Sequence, residues 1–376
     1  MLGHRREIHV VPSLEFKECW IPKPLTATTA IIDQDPVEPL MNPRERARMI
    51  FMGSDPIALP LLDFIAGEGS DRVELTGLLT QPDRRAGRGR QYKANAVKRW
   101  ALERELPVWQ PEKPGGEEVA LFQELRVDIV LVMAYGHLLR RALLEAPRLG
   151  TFNFHTSLLP AFRGASPIQG AVAAGERETG VTLMKMVPRM DAGPIVDWEK
   201  VAIEPRETAQ TLEGKLACSC VPLLRRNLDA LLSGRVGLRE QDESRASTTR
   251  KLTREDGALD FSRAASSLAR RINALYPWPG AVVPVGEVPI KIGLADFTEA
   301  SSGAEPGTVI DTGGEGLQVA TGEGTLRLLE LQRPGGRMLP AKTFLLGFPV
   351  PAGTRLPSRP MPELVVSEGS RANRKS

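Results

Sequence analysis

The 376-residue sequence has little histidine and little cysteine, four residues of the first and three of the second. Cys218 and Cys220 are separated by one residue and have no pair of histidines nearby, which argues against a zinc site. No apolar run approaches the roughly 20 residues that span a bilayer, and the first 20 residues lack the long apolar core of a signal peptide. We therefore expect a cytoplasmic protein that needs no metal and does not enter a membrane.

An excess of charge of either sign is also missing. The chain has 49 Lys and Arg against 46 Asp and Glu, a formal net charge of +3. This excess is too small to indicate a nucleic-acid partner by itself, so any such partner must be argued from a local cluster of basic residues. Hydrophobic content of 41% and charged content of 25% are ordinary for a globular protein, and the length is sufficient for two domains.

Residues 1–44 show no helical or strand period, and we interpret them as an N-terminal extension that is disordered or precedes the true start codon at Met41. From residue 45 to 234, apolar strands alternate with helical segments. The predicted strands are 47–53, 73–80, 128–134, 150–155 and 181–187, and the predicted helices are 56–66, 95–106, 167–175 and 208–234. This alternation predicts right-handed βαβ units and a mainly parallel, Rossmann-like sheet.

The second half of the chain has a different pattern. Residues 235–250 are polar and are predicted to be a linker. Residues 251–350 contain short strands separated by Gly and Pro turns, which predicts a small OB-like β-barrel. Residues 351–376 are rich in Pro, Ser and Arg, and we expect a disordered tail.

The chemistry is expected at the end of strand 150–155, in the run FNFHTSLLPAFRGASPI. Residues i and i+2 of a strand share a face, so Asn153 and His155 point the same way at the carboxyl edge, where such sheets bind ligands. Asp191, in RMDAGPI, follows the next strand and is expected at the same edge. On residue types alone, a capped strand end with a satisfied histidine remains the alternative.

An amide, an imidazole and a carboxylate together suit the transfer of a small acyl group. An amine attacks a carbonyl carbon, and Asn153 and His155 donate to the oxygen as it gains negative charge. Asp191 orients the histidine and helps to take the proton from the amine, directly or through water. No serine or cysteine with a paired base is evident, which favours direct transfer over a covalent intermediate.

These segments resemble the folate-dependent formyltransferase family. The run from Phe152 to Ile168 matches its signature N-x-H-x-S-L-L-P-x-x-R-G, and MDAGPI follows at the matching distance. Further matching segments, among them TQPDRRAGRGR, VMAYGHLL, RKLTREDGALDF and NALYPWPGA, extend the resemblance over residues 47–350. The C-terminal ones point to members with a second domain. The purine-pathway member lacks that domain, and the bifunctional sugar member carries a dehydrogenase domain whose G-x-G-x-x-G fingerprint is not found here.

The resemblance implies roles for individual residues. Asn153, His155 and Asp191 match catalytic positions, and the segment that touches the folate matches Ser157, Leu158, Leu159 and Pro160. The implied donor is 10-formyltetrahydrofolate, and the implied acceptor is the α-amine of methionine on initiator tRNA. We expect a monomer. Thr156, Arg140 and Pro194 depart from the family pattern without removing a catalytic position.

A basic cluster lies in QPDRRAGRGRQYK, where four arginines and one lysine face a single aspartate: Arg84, Arg85, Arg88, Arg90 and Lys93 against Asp83. Guanidinium groups pair with phosphate oxygens in a bidentate manner, so this loop is a candidate tRNA contact. It resembles the family's insertion loop, in which the position of Arg88 is the key one. Lys251, in the linker motif, is a second candidate tRNA contact. For both features, a solvated surface is the alternative.

Two other functions stay open at this point. One is a formyltransferase of the same fold that acts on an amino sugar nucleotide, and the other is a catalytically silent RNA-binding relative. The intact Asn153, His155 and Asp191 argue against a silent protein, and the basic loop with the predicted barrel argues against the sugar.

Overall fold

The structure is a computed structural model that describes residues 46–86, 91–313 and 316–367. The strands of its first part are β1 (Ala47–Gly53), β2 (Val73–Leu79), β3 (Arg84–Ala86), β4 (Gln91–Lys93), β5 (Val108–Trp109), β6 (Ile129–Met133), β7 (Gly150–His155), β8 (Arg163–Gly164), β9 (Glu178–Lys185) and β10 (Ile195–Ala202). The helices are α1 (Leu59–Ala66), α2 (Ala96–Leu102), α3 (Gly116–Glu124), α4 (Arg141–Glu145), α5 (Pro167–Ala174) and α6 (Ala209–Ser233). Seven of these strands form one sheet, in the order β10-β9-β7-β6-β1-β2-β5.

Both faces of this sheet are covered, as the apolar strands predict. Along β1, Met49 and Phe51 pack into a core that also contains buried residues of α1 and α6. The intervening Ile50 and Met52 belong to a second core that contains residues of α3 and α4. The prediction of an α/β domain with helices on both faces is therefore confirmed.

The edge of the sheet differs from the prediction. Strands β1, β2, β5, β6 and β7 are parallel, but β9 is antiparallel to β7 and to β10. The βαβ interpretation of the strand predicted at 181–187 was therefore wrong. An antiparallel partner begins at the end of the sheet where β7 finishes, so the segment that contains α5 does not return along the strand. The chain consequently stays near the carboxyl end of β7 and re-enters the sheet from there.

The second part of the chain forms a curled, mostly antiparallel half-barrel, which confirms the predicted OB-like fold. Its strands are β11 (Ser247–Thr249), β12 (Ala281–Val285), β13 (Val288–Thr298), β14 (Val309–Asp311), β15 (Leu317–Ala320), β16 (Thr325–Gln332), β17 (Leu339–Pro340) and β18 (Val365–Ser367), and its helices are α7 (Ala265–Leu275) and α8 (Ala341–Gly347). Of these, β12 to β17 form the half-barrel sheet. Buried residues of α7, including Leu268 and Ile272, fill the concave side together with Ile292 and Leu328.

A small third sheet joins distant parts of the chain. Its order is β18-β11-β8, so the segment predicted to be a linker contributes β11 and the predicted disordered tail contributes β18. Both expectations need correction. The tail is ordered as far as residue 367, because Leu356 and Leu364 are buried and the Leu356 N–H donates to the Gly307 carbonyl at 2.8 Å. The polar composition of the tail predicts disorder, but the burial of these few apolar side chains is sufficient to attach the tail to the rest of the chain.

The described residues contain neither a candidate membrane span nor a cluster of metal-ligating side chains. No helix there is long and apolar enough to cross a membrane. No group of three or more His, Cys, Asp or Glu in the same part of the chain is arranged to hold a metal ion.

Candidate active site

A cavity of about 510 Å³ opens beyond the carboxyl ends of β1, β6 and β7. Its wall includes residues 132–139, which end β6 and follow it, and residues 153–156, which end β7. Residues 164, 165 and 167–169, around the start of α5, also line it, as do parts of the loop after β9. The volume lies within the range of roughly 300 to 1,000 Å³ that small-molecule sites occupy.

The structure places Asn153 and His155 together on the wall of this cavity, as strand alternation predicts. They are 9% and 6% exposed. Val132 of β6 lies beside Asn153 in the sheet, whereas His155 extends beyond the last paired residue of that strand. The imidazole therefore stands at the carboxyl edge of the sheet, with only β9 beside it.

The hydrogen bonds of His155 define the role of each ring nitrogen. Nε2 lies 3.0 Å from the carbonyl oxygen of Phe162, and because a carbonyl can only accept, Nε2 carries a hydrogen. Nδ1 lies 3.7 Å from Oδ2 of Asp191. In the neutral imidazole Nδ1 is therefore an acceptor, and it can donate only when the ring is positively charged.

Asp191 reaches the site from an unusual backbone conformation. Its φ is +51°, in the left-handed region that non-glycine residues rarely adopt. Its Oδ2 accepts a hydrogen bond of 2.8 Å from the backbone N–H of Gly164. This contact directs the carboxylate toward His155, and all three residues expected at the site thus lie on one wall.

The segment expected to touch folate is placed differently. Ser157 is fully buried, and its hydroxyl donates to the carbonyl of Ala161 at 2.6 Å. Leu159 packs with Met184 and Ile195. None of the four residues Ser157, Leu158, Leu159 and Pro160 lies on the wall of the cavity described above, so their contact with folate stays a prediction.

Two polar groups on the cavity wall have no hydrogen-bond partner among the described residues. They are the hydroxyl of Tyr135 and Nε2 of His137. The rings of these two residues pack edge to face, with their centroids 5.1 Å apart. Burial lowers the pKa of His137, and the positive charge of Arg84 lowers it further. Both atoms are shielded from solvent, so a bound ligand would reach them only after neighbouring side chains shift.

The basic cluster forms a short hairpin instead of an open loop. Strands β3 and β4 pair through Arg84 with Lys93 and through Arg85 with Tyr92. Arg84 forms an exposed ion pair of 3.0 Å with Glu112, and the Arg85 guanidinium lies 5.3 Å from the centre of the Tyr92 ring. Arg88 and Arg90 lie outside the described residues. Lys251 is exposed and follows β11 by two positions.

Two further carboxylates also line the cavity. Glu213 of α6 and Asp55, which follows β1, both lie on its wall. Burial, followed by the negative charge of Asp55, raises the pKa of Glu213 from 4.5 to about 7. Burial likewise raises the pKa of Asp55, against the effect of a hydrogen bond from the Ile57 N–H.

This shift predicts a pH dependence of stability. A carboxyl whose pKa is raised in the folded state binds its proton more tightly when folded, so Glu213 stabilises the fold below pH 4.5 and loses that contribution as pH rises through about 7. Glutamine cannot ionise. We expect Glu213→Gln to exceed the wild type in free energy of unfolding by ~1–2 kcal/mol at pH 8, after allowance for solvent screening, and to match it near pH 4. Urea unfolding at both pH values measures this, and a difference independent of pH would contradict it.

The sequence did not reveal the groups that orient these candidate catalytic side chains. These are the carbonyl of Phe162 and the N–H of Gly164, together with contacts from the segment after α6. The R-G of the motif was a signal for Gly164, whose φ is +108° and whose added Cβ would lie 2.1 Å from the carbonyl oxygen of Thr249. Only glycine fits there.

The comparisons with known proteins agree with this fold. Residues 47–224 match a family model described as "Formyl transferase", and residues 251–349 match "Formyl transferase, C-terminal domain". The chain is thus a member of the formyl transferases.

Curated relatives narrow the family. The methionyl-tRNA formyltransferases of Burkholderia vietnamiensis (strain G4) and Burkholderia pseudomallei (strain K96243) are 39% and 40% identical over 318 and 321 residues, respectively. Each match covers 82% of this chain and 96% of the relative. This chain therefore belongs to the methionyl-tRNA formyltransferase family.

Solved structures show the same fold at lower identity. The sugar 3N-formyl transferase WlaRD, in the presence of dTDP and 5-N-formyl-THF, matches with a TM-score of 0.57 and 15% identity over 78% of this chain and all of that one. An N-formyltransferase of Helicobacter canadensis, in complex with folinic acid and dTDP-3-aminofucose, matches with a TM-score of 0.57 and 16% identity over 76% of this chain and 99% of that one.

Proposed function

We propose that this chain transfers a formyl group from 10-formyltetrahydrofolate to the α-amine of methionyl initiator tRNA. The observation that carries the proposal is the convergence of Asn153, His155 and Asp191 on one wall of the cavity. Membership of the methionyl-tRNA formyltransferase family supports the acceptor. All three side chains come from one chain, which supports a monomer as the active unit.

The cavity is suited to the head group of a folate. Apolar side chains such as Leu139, Ile168 and Met184 line it, and they can pack against a planar ring. The hydroxyl of Tyr135 and Nε2 of His137 are buried without partners, so they can satisfy polar atoms on the ring edge once neighbouring side chains shift. A bound donor supplies the formyl carbonyl that the amine attacks.

Asn153 and His155 stabilise the charge that develops during attack. The Asn153 amide donates to the formyl oxygen without a change of its own charge. His155 has committed Nε2–H to the Phe162 carbonyl, so it donates to that oxygen from Nδ1 as the imidazolium. Oδ2 of Asp191 lies 3.7 Å from Nδ1, so the carboxylate can orient the ring for this contact.

Asp191 also receives the proton that the amine must lose. The amine becomes positively charged as it forms the new C–N bond, and a carboxylate at the cavity wall can take its proton directly or through one water. The Gly164 N–H at 2.8 Å leaves the other carboxylate oxygen, Oδ1, available for this transfer. When the carbonyl re-forms, the bond between the formyl carbon and N10 of the donor breaks, and tetrahydrofolate leaves with the proton returned from Asp191 to N10.

The geometry favours direct transfer without a formyl-enzyme. Among the described residues, no serine or cysteine lines the cavity. The nearby Ser157 hydroxyl donates to the Ala161 carbonyl and not to His155. Burial raises the pKa of Cys220, which disfavours its thiolate. The amine of the acceptor is thus the nucleophile.

The basic hairpin supports a tRNA acceptor. Gln81, three positions before β3, donates from Nε2 to the carbonyl of Tyr135 at 3.1 Å, so the hairpin begins beside the cavity wall. Arg85 and Tyr92 are exposed, so they are available to phosphates and to bases. We propose that Arg84, Arg85, Arg88 and Arg90 contact the acceptor end of the tRNA and that Lys251 contacts its backbone.

The hairpin can be tested by its dependence on salt. We expect Arg85→Ala and Arg88→Ala to lower kcat/KM for charged tRNA and to reduce the slope of log(kcat/KM) against log[salt] by roughly one for each lost phosphate contact. Donor affinity, measured separately, should not change. Arg225→Ala is a matched control. Arg225 lies on α6 and forms an exposed ion pair with Glu68, so this variant removes the same charge outside the hairpin. An unchanged slope in both hairpin variants would remove the support that this hairpin lends to a tRNA acceptor.

A further inference from the structure

The segment after α6 contacts both halves of the catalytic site. We define the clamp segment as residues 239–249, which lie outside the parts of the chain that match the two family models. Arg239 and Ile195 exchange backbone hydrogen bonds of 2.7 and 2.8 Å, so the clamp segment begins by pairing with the end of the Asp191 loop. It ends as β11, which pairs with β8 of the catalytic motif.

Gln241 of the clamp segment holds the backbone of the Asp191 loop. Its Nε2 donates to the carbonyl of Asp191 at 2.8 Å and to the carbonyl of Gly193 at 2.7 Å. The side chain is 9% exposed. Asp191 adopts the unfavourable φ of +51°, and such a conformation persists only where surrounding contacts stabilise it.

The other half of the Gln241 amide is also fixed. Its Oε1 accepts from Nε and Nη2 of Arg163 at 3.1 and 2.7 Å. A guanidinium only donates and carbonyls only accept, so the orientation of the amide is determined by its neighbours. Arg163 in turn forms two hydrogen bonds with Glu243, at 2.8 and 3.0 Å.

Ser247 of the clamp segment binds the backbone of Phe162, the residue that His155 contacts. Its hydroxyl accepts from the backbone N–H of Phe162 at 2.9 Å. Phe162 has a φ of +59°, a conformation that is rare for an aromatic residue. The carbonyl of this residue is the one that binds Nε2 of His155 at 3.0 Å.

The two unfavourable backbone positions thus belong to Asp191 and to the residue that contacts His155. The Asp191 carbonyl accepts a hydrogen bond from Gln241, and the Phe162 N–H donates one to Ser247. We propose that Gln241 and Ser247 are positioning residues for formyl transfer, Gln241 through Asp191 and Ser247 through His155. This proposal rests on the roles proposed for those two catalytic side chains.

Gln241→Glu removes the donor function of the Gln241 side chain and keeps its acceptor function. The carboxylate keeps acceptors for Arg163 but cannot donate to the carbonyls of the Asp191 loop. We expect kcat to fall roughly 10- to 100-fold, as small displacements of catalytic groups do, while KM for the donor stays within a factor of about two. Ser247→Ala should have an effect of the same kind. Ser244→Ala is the matched control, because that exposed hydroxyl bonds only to Asp242 and should leave kcat unchanged.

A double-mutant cycle then distinguishes positioning from a general loss of structure. If Gln241 acts through Asp191, Gln241→Glu should lower the single-turnover rate much less in an Asp191→Asn background than in the wild type. Equal factors in both backgrounds, or wild-type kcat in Gln241→Glu, would overturn the proposal. Should Gln241→Glu unfold, Gln241→Met takes its place, with thermal unfolding recorded for each variant.

Failure of the underlying mechanism would look different. An Asp191→Asn enzyme with wild-type kcat would contradict the catalytic role of Asp191 itself. An inactive Asp191→Asn enzyme together with a fully active Gln241→Glu enzyme would contradict only the positioning role.

Discussion

Replacement of Asn153 by alanine or by aspartate should lower kcat for formyl transfer by roughly 10²- to 10³-fold, the usual cost of losing one oxyanion donor. Aspartate has the shape of asparagine but no N–H, so equal losses in the two variants would show that donation, and not packing, is the contribution. His155→Ala should cause a loss of similar size. The measurement is the single-turnover rate with saturating donor and charged tRNA.

Folding should survive these substitutions. Both side chains line a cavity instead of filling the core, and the apolar residues on either side of them in β7, Phe152 and Phe154, remain. Circular dichroism and thermal unfolding provide the control. A variant that folds normally and keeps near-normal activity would show that its side chain does not stabilise the transition state.

The second large effect is expected at Asp191. Asp191→Asn keeps an oxygen that can accept from the Gly164 N–H, so the loop should keep its conformation. It removes the negative charge beside Nδ1 of His155 and the group proposed to accept the amine proton. We expect kcat to fall roughly 10²- to 10⁴-fold, because both contributions are lost together.

The control for Asp191→Asn is Asp229→Asn, which removes an exposed carboxylate paired with Arg72 on the surface. That variant should keep wild-type kcat. If raising the pH, which deprotonates the attacking amine, restored Asp191→Asn to wild-type rates, Asp191 would act only as the proton acceptor. Its role toward His155 would then be wrong.

The sequence was sufficient to place Asn153 and His155 because their geometry is local. Six consecutive buried residues form β7, and strand alternation alone puts the two side chains on one face. The same local reasoning found the long helix α6. Its N-terminal cap is Thr208 and its C-terminal residue is followed by Gly234 at a φ of +69°. Elements of this kind carry their own periodicity and end signals.

Contacts between distant segments could not be found in this way. Gln241 and Ser247 reach Arg163 and Phe162 across 78 and 85 positions, and the polar composition around them is the same as that of a solvated linker. A positive φ at an aromatic residue has no signature in the sequence. The direction of β9 was equally hidden, because an apolar strand has the same pattern in either direction.

We expect the amine attacked at this site to belong to methionyl-tRNA. The most direct test offers the wild-type enzyme 10-formyltetrahydrofolate labelled in the formyl group together with two acceptors, charged initiator tRNA and a nucleotide-linked amino sugar. We expect the label on the α-amine of methionine and none on the sugar, with uncharged tRNA unlabelled. Label on the amino sugar, or no transfer to methionyl-tRNA by an enzyme that binds the donor, would contradict the proposed function.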